Sequence, residues 1–191
     1  MRIRPTQPAD HARVAEIVTT AFGDEGPLVS SLVSRLRQTG HVRAALVAED
    51  ETGVIGHVQL NRSWLDARRR LVEVLVLSPL SVAPTAQRRG VGTDLLAAAL
   101  AEAERLGAPA VFVEGGWGYY GKRGFGRASL QGFTAPSDRI PDPAFQVALL
   151  PALEPWMTGA LVYCEPFWAL DCVGLRDPLL GQIEATLDAS Q

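Results

Sequence analysis

The hydrophobic period of this chain changes twice, and the order of those changes restricts the fold more than any single residue does. Val14, Ile17, Val18, Ala21 and Phe22 recur at helical spacing behind the helix-start residues Thr6, Pro8 and Asp10, so the pattern predicts a helix over residues 9–22. Leu28, Leu32, Val33 and Leu36 predict a second helix, ending by Gly40. From His41 the pattern becomes that of strands. His41–Glu49, Val54–Trp64 and Arg70–Val82 are separated by the turn-rich stretches Asp50–Gly53 and Asp66–Arg69, which predicts an antiparallel meander. Pro79 cannot donate to a strand ladder, so Ser78-Pro79 should mark a bulge or bend in the third strand. Helical spacing returns over Thr93–Leu106 and stops at Gly107-Ala108-Pro109, before a short buried strand at Ala110–Val113.

Two helices, three strands, a helix and a strand make an α/β arrangement, with a meander feeding a strand–helix–strand crossover. Phe145–Leu149 and Thr158–Val162 read as further strands. Asp177–Leu187 reads as a terminal helix whose Leu179, Leu180, Ile183 and Leu187 either dock on the core or form a subunit contact, as in a homodimer. The 191 residues suffice for one domain with a core that needs no metal or disulfide.

Charge and cysteine usage exclude several classes. Eighteen basic against 21 acidic side chains give a net charge of −3, unlike a dedicated nucleic-acid binder, and Arg68-Arg69-Arg70 reads as a solvated turn. Cys164 and Cys172 form no CxxC pair and His11, His41 and His57 are scattered, so no metal site is expected. There is no apolar leader after Met1-Arg2-Ile3-Arg4-Pro5 and no run long enough to span a membrane, so a cytoplasmic protein is expected.

The chemistry concentrates at Gln87-Arg88-Arg89-Gly90-Val91-Gly92, between a strand and a helix. A helix start carries unpaired N–H groups and the positive end of the dipole, which together bind anions. Glycines at 90 and 92 let the backbone approach a ligand, and Arg88 and Arg89 add charge, so a pyrophosphate suits the segment. Glycines serving only tight packing would give the same spacing. A Rossmann fingerprint fails because Leu95 stands where a third glycine is needed. Gly116-Trp117-Gly118-Tyr119-Tyr120-Gly121-Lys122 imitates a P-loop, but Arg123 replaces the Ser or Thr that would hold Mg²⁺.

Gln87–Gly92 resembles the [Q/R]-x-x-G-x-[G/A] acetyl-CoA motif of the GNAT N-acetyltransferase superfamily. Tyr120-Gly121-Lys122-Arg123-Gly124-Phe125 resembles that family's Y-x-K-x-G-F segment, with residues 93–119 between the two motifs. The Tyr-Tyr-Gly variant, Gly159-Ala160-Leu161-Val162-Tyr163 and Pro166-Phe167 are similar to a bacterial, YhbS-like branch, and the resemblance spans residues 1–170, leaving 171–191 as a tail. It implies a mixed, mostly antiparallel sheet flanked by helices, with a V-shaped splay between the fourth and fifth strands that admits the pantetheine arm. Leu80 and Val82 would pair with that arm. Backbone N–H groups over Gln87, Arg88, Arg89, Gly90, Val91, Gly92 and Thr93 would take the pyrophosphate, and Lys122 with Arg123 the 3′-phosphate. The family often has Asn or Asp after the fifth strand, where this chain has Gly115-Gly116-Trp117.

The implied reaction is acyl transfer, most simply acetyl transfer, from acetyl-CoA to a primary amine by direct attack in a ternary complex. Making a lysine-like amine neutral at pH 7 costs roughly 4.6 kcal/mol, and an α-amino group only about 1 kcal/mol. Tyr120 is the candidate acid for the leaving thiolate. Glu73 and Glu114 are the candidate bases, and an N–H near Val82 is the candidate oxyanion donor. Asp24, Glu25, Trp64 and Trp117 are candidates for the acceptor wall. A chain that kept the cleft but lost turnover would instead be an acyl-CoA sensor, since no base is obvious.

Overall fold

The computed structural model describes residues 1–189. The chain opens with β1 (Arg2–Pro5), α1 (His11–Ala21) and α2 (Gly26–Gln38). The meander follows as β2 (Val42–Asp50), β3 (Gly53–Ala67) and β4 (Leu71–Val82), then α3 (Val91–Arg105) and β5 (Ala110–Glu114). Sheet order runs β1-β2-β3-β4-β5, then a strand β8 (Phe145–Leu149) and a two-residue β6 (Gly126–Arg127). All pairings along this path are antiparallel except β4 with β5. A two-residue β7 (Phe133–Thr134) and β9 (Gly159–Val162) extend the sheet at the far end of β3, beyond the reach of β2.

Side-chain alternation along β3 fixes which layer sits on which face. Gly56 faces α3 so closely that an added Cβ would lie 2.9 Å from Leu95 Cδ1 and 3.1 Å from Val91 Cγ1. Val58 and Leu60 share that face and are fully buried. His57 and Gln59 point the other way, toward Val14 of α1 and Val33 of α2. The sheet is therefore wrapped on both faces, as its long apolar runs require.

The bulge expected at Ser78-Pro79 is present. Leu60 pairs with Leu77 and Val58 with Leu80, so Ser78 and Pro79 stand opposite Gln59 alone. The buried amide of Asn61 donates to the carbonyls of Ser78 (2.7 Å) and Val76 (3.3 Å) and accepts from Gln59 (2.7 Å). A buried polar cluster with its groups paired holds the distortion in place.

The splay between β4 and β5 is also present. The two strands pair only at Leu75–Val111 and Val76–Phe112. Beyond that, β4 runs on to Val82 beside β3 while β5 turns with β8, and a cleft opens between them. Four elements lay outside the sequence expectation. These are α4 (Trp117–Tyr120), α5 (Glu165–Ala169) and the short strands β6 and β7, all too brief for a period to show. The terminal helix α6 (Leu179–Asp188) forms and sends Ile183 and Leu187 toward the cleft.

Candidate active site

Two cavities occupy the splay, of about 570 and 620 Å³, and they share Phe22, Leu80, Gly116 and Tyr120 as a common wall. The first lies over the start of α3. Gly90 caps that helix with φ 85°, and Arg88 is left-handed at φ 61°, so the loop coils tightly ahead of the first turn. Asp94 N–H makes the first backbone bond back, to Gly90 (3.0 Å), and no side chain caps the helix. The N–H groups of the first turn are thus left for a ligand.

The β4 edge beside this helix is built for an extended arm. Ala83 N–H bonds Ile55 O on β3 (2.8 Å), so by strict alternation Ser81 also faces β3, and the backbone groups of Val82 and Leu80 face the opening. The side-chain amide of Gln87 already donates to Val82 O (3.2 Å), tying the loop to the strand end. Gly92 leaves room for the Tyr119 hydroxyl, since an added Cβ would sit 2.7 Å from it. The residues present therefore fit a pyrophosphate with a pantetheine arm. An acyl-CoA would supply an acyl group activated as a thioester.

Of the residues expected to hold the donor, Leu80, Val82, Gln87, Arg88, Gly90, Val91, Gly92 and Thr93 line this cavity. Arg89 and Lys122 are exposed and do not. Of the expected pair Lys122 and Arg123, Arg123 is the one that lines it. It bonds Thr93 Oγ1 (3.0 Å) and Tyr119 O (2.7 Å), and its guanidinium stacks 3.9 Å over the Tyr119 ring. The short α4 and the turn after it rotate Lys122 outward and Arg123 inward, a rotation that the motif alone does not reveal.

Tyr120 borders both cavities, whereas Tyr119 borders only the first. The Tyr120 ring packs edge-on against Phe125 and across Gly115, where an added Cβ would lie 2.5 Å from a ring carbon. Gly115 thus replaces the family's polar residue because the ring needs its space. Burial, with a smaller contribution from Tyr119, pushes the Tyr120 hydroxyl up to about 12, and it has no hydrogen-bond partner among the described residues.

The two candidate bases separate cleanly. Glu73 is a correction to the sequence expectation. It lies near the far end of β4, half-exposed, bonds Arg43 (2.7 Å) and lines neither cavity. That guanidinium holds its carboxyl below the usual range, which makes it a poor base. Glu114 ends β5 and lines the second cavity. Burial pushes its carboxyl up, against the opposing pull of the Tyr163 hydroxyl, the Gly174 N–H (3.1 Å) and the charge of Arg139. Glu25 and Trp117 also line the second cavity, whereas Asp24 and Trp64 do not. Trp64 packs instead against His41. Phe22, Ile183 and Leu187 were legible only as apolar helix residues, and the cavity residues over 140–175 carried no signal of a site in the sequence.

Residues 2–128 match the acetyltransferase (GNAT) domain model. The chain belongs to the GNAT acetyltransferase family. It is 31% identical over 134 residues to the uncharacterized N-acetyltransferase YjhQ of Escherichia coli (strain K12), covering 69% of this chain and 73% of that one. Its fold is similar to that of the GNAT protein YhbS from Escherichia coli, solved in complex with CoA (TM-score 0.76, 27% identity, 87% of this chain and 91% of that one). It is also similar to a GNAT acetyltransferase from Brucella melitensis solved with acetyl-CoA (TM-score 0.70, 25% identity, 87% and 97%). Membership makes acyl-CoA-dependent acetyl transfer the general activity and acetyl-CoA the co-substrate. Among the described residues no cluster is placed to hold a metal ion, and no helix is long and apolar enough to cross a membrane.

Proposed function

We propose that this GNAT protein acetylates a primary amine by direct attack, with acetyl-CoA in the first cavity and the amine in the second. The observation that carries the reading is Tyr120, which borders both cavities with a hydroxyl that has no hydrogen-bond partner among the described residues. In the reaction a C–N amide bond forms and the thioester C–S bond breaks. One proton leaves the nitrogen and one reaches the sulfur.

Glu114 accepts the proton from the amine. Its raised basicity narrows the gap to an ammonium group of pKa about 10.4. Tyr120 stays protonated throughout the physiological range and donates to the departing sulfur, whose free thiol has a pKa of about 8.5. That mismatch favours a hydrogen bond that stabilises the thiolate over early, complete transfer. The outward N–H of Val82 is positioned to stabilise the carbonyl oxygen as it gains charge.

The test is Tyr120→Phe in a thiol-release assay with acetyl-CoA and a panel of amines. Loss of a general acid lowers kcat by about 10²-fold or more, with acetyl-CoA affinity by calorimetry unchanged. A variant that keeps full turnover removes Tyr120 from the mechanism. Acetyl-CoA binding with no thiol release from any amine would make the chain a sensor.

A further inference from the structure

We infer that the acceptor is a primary amine carried on an apolar alkyl or aryl body, seated in the second cavity with its nitrogen toward Glu114. This rests on the transferase reading above and goes beyond it by naming the acceptor's chemistry.

The first support is charge. Among the described residues, every charged side chain lining the second cavity is acidic: Glu25, Glu114 and Asp171. The first cavity is the reverse, with Arg88 and Arg123 as its only charged lining residues among those described. Asp171 is already committed, to Arg176 (2.6 Å) and Arg139 (3.2 Å). Neither Glu25 nor Glu114 forms an ion pair among the described residues. The cavity therefore favours a cation and repels a carboxylate or phosphate.

The second support is the rest of the wall. Leu28, Leu32, Leu77, Trp117, Ile140 and Ile183 are among its apolar lining residues, while Ser78 and Tyr120 carry its only hydroxyl groups among the described residues. An amino sugar would bring several hydroxyls into this space, where the three carboxylates lie among a mostly apolar lining, and a hydroxyl set against the apolar wall without a partner opposes binding. A hydrocarbon or ring has no such need. It would also cover Trp117, which is 66% exposed, and Ile183, which is 43% exposed, although both line the cavity.

The third support is position. Tyr120 and Glu114 both line this cavity, so a body lying along the apolar wall leaves its amine at the end nearest the shared wall. With the reacting amine at Glu114, Glu25 is the one unpaired carboxylate left lining this cavity among the described residues, against the two further ammonium groups of spermidine, which disfavours a long polyamine.

The experiment is thiol release from acetyl-CoA by the full chain with butylamine, hexylamine, octylamine and 2-phenylethylamine, against glucosamine and spermidine. The expected result is a rise in kcat/KM of up to about fourfold per methylene along the alkyl series, carried by KM, with glucosamine and spermidine the poorest acceptors. Trp117→Ala raises KM for 2-phenylethylamine while acetyl-CoA affinity stays unchanged. Faster turnover of glucosamine or spermidine than of octylamine overturns the inference and leaves the transferase reading intact. Acetyl-CoA binding without thiol release from any of the six overturns the transferase reading, and the inference with it.

Discussion

The two cavities that meet at Tyr120 are nearly equal in volume and opposite in construction. The donor cavity is basic and made largely of one continuous stretch, Leu80–Thr93, whose backbone contributes as much as its side chains. The second cavity, the proposed acceptor site, is acidic and apolar, and it is assembled from segments between Phe22 and Leu187. A ligand held by backbone N–H groups needs glycines at fixed spacing, and that need is written as a motif. A ligand held by dispersed side chains leaves no local pattern, since each contributor looks like an ordinary core or loop residue.

Substitutions can separate the two halves. The largest effect is expected from Glu114→Gln, which should lower turnover by roughly 10²-fold near neutral pH without changing acetyl-CoA affinity. The pH profile gives the sign. Because burial raises the Glu114 carboxyl, wild-type activity should rise with pH through a limb above the ordinary carboxylate value of 4.5, and the Gln variant should lose that limb. Linkage runs the other way. A raised carboxylate pKa favours the folded state at low pH, and that contribution is lost as pH rises through the folded value. The Gln variant should therefore gain melting temperature relative to wild type above that limb.

Gly92→Val should act only on the donor side. It places a branched side chain where the Tyr119 hydroxyl and the pyrophosphate approach, and should weaken acetyl-CoA binding about tenfold, a loss of roughly 1.4 kcal/mol, by calorimetry. Gly115→Ala tests the shared wall. Its methyl group meets the Tyr120 ring, so stability should fall by about 1 kcal/mol and the Michaelis constants of both substrates should rise together. A change in only one of them would show that the wall is not shared. The smallest effect is expected from Arg123→Ala, which removes the stack on Tyr119 and should cost acetyl-CoA a few-fold in affinity, about 0.5–1 kcal/mol, in a salt-dependent way.

Much of the fold was legible because long elements carry their period openly. The helices of the first half, the meander and the bulge at Ser78-Pro79 all follow from spacing and proline chemistry. What stayed hidden depends on rotation and on distant partners. Glu73 and Glu114 both stand on strands, and only the sheet shows that one reaches Arg43 and the other Tyr163 and Gly174. Likewise, adjacent basic residues in one turn must point apart, and nothing local says that Arg123 rather than Lys122 points inward.

The ties of Glu114 to Gly174 and Tyr163 have a consequence for how such a protein can diversify. Both partners lie beyond residues 2–128, the span shared with the family model. On the proposed mechanism, sequence drift after residue 130 can thus reshape what is acetylated, and tune the carboxylate assigned to deprotonate it, while the Leu80–Thr93 donor segment stays the same. Relatives with the same Leu80–Thr93 segment and a different C-terminal third should share a donor and differ in acceptor.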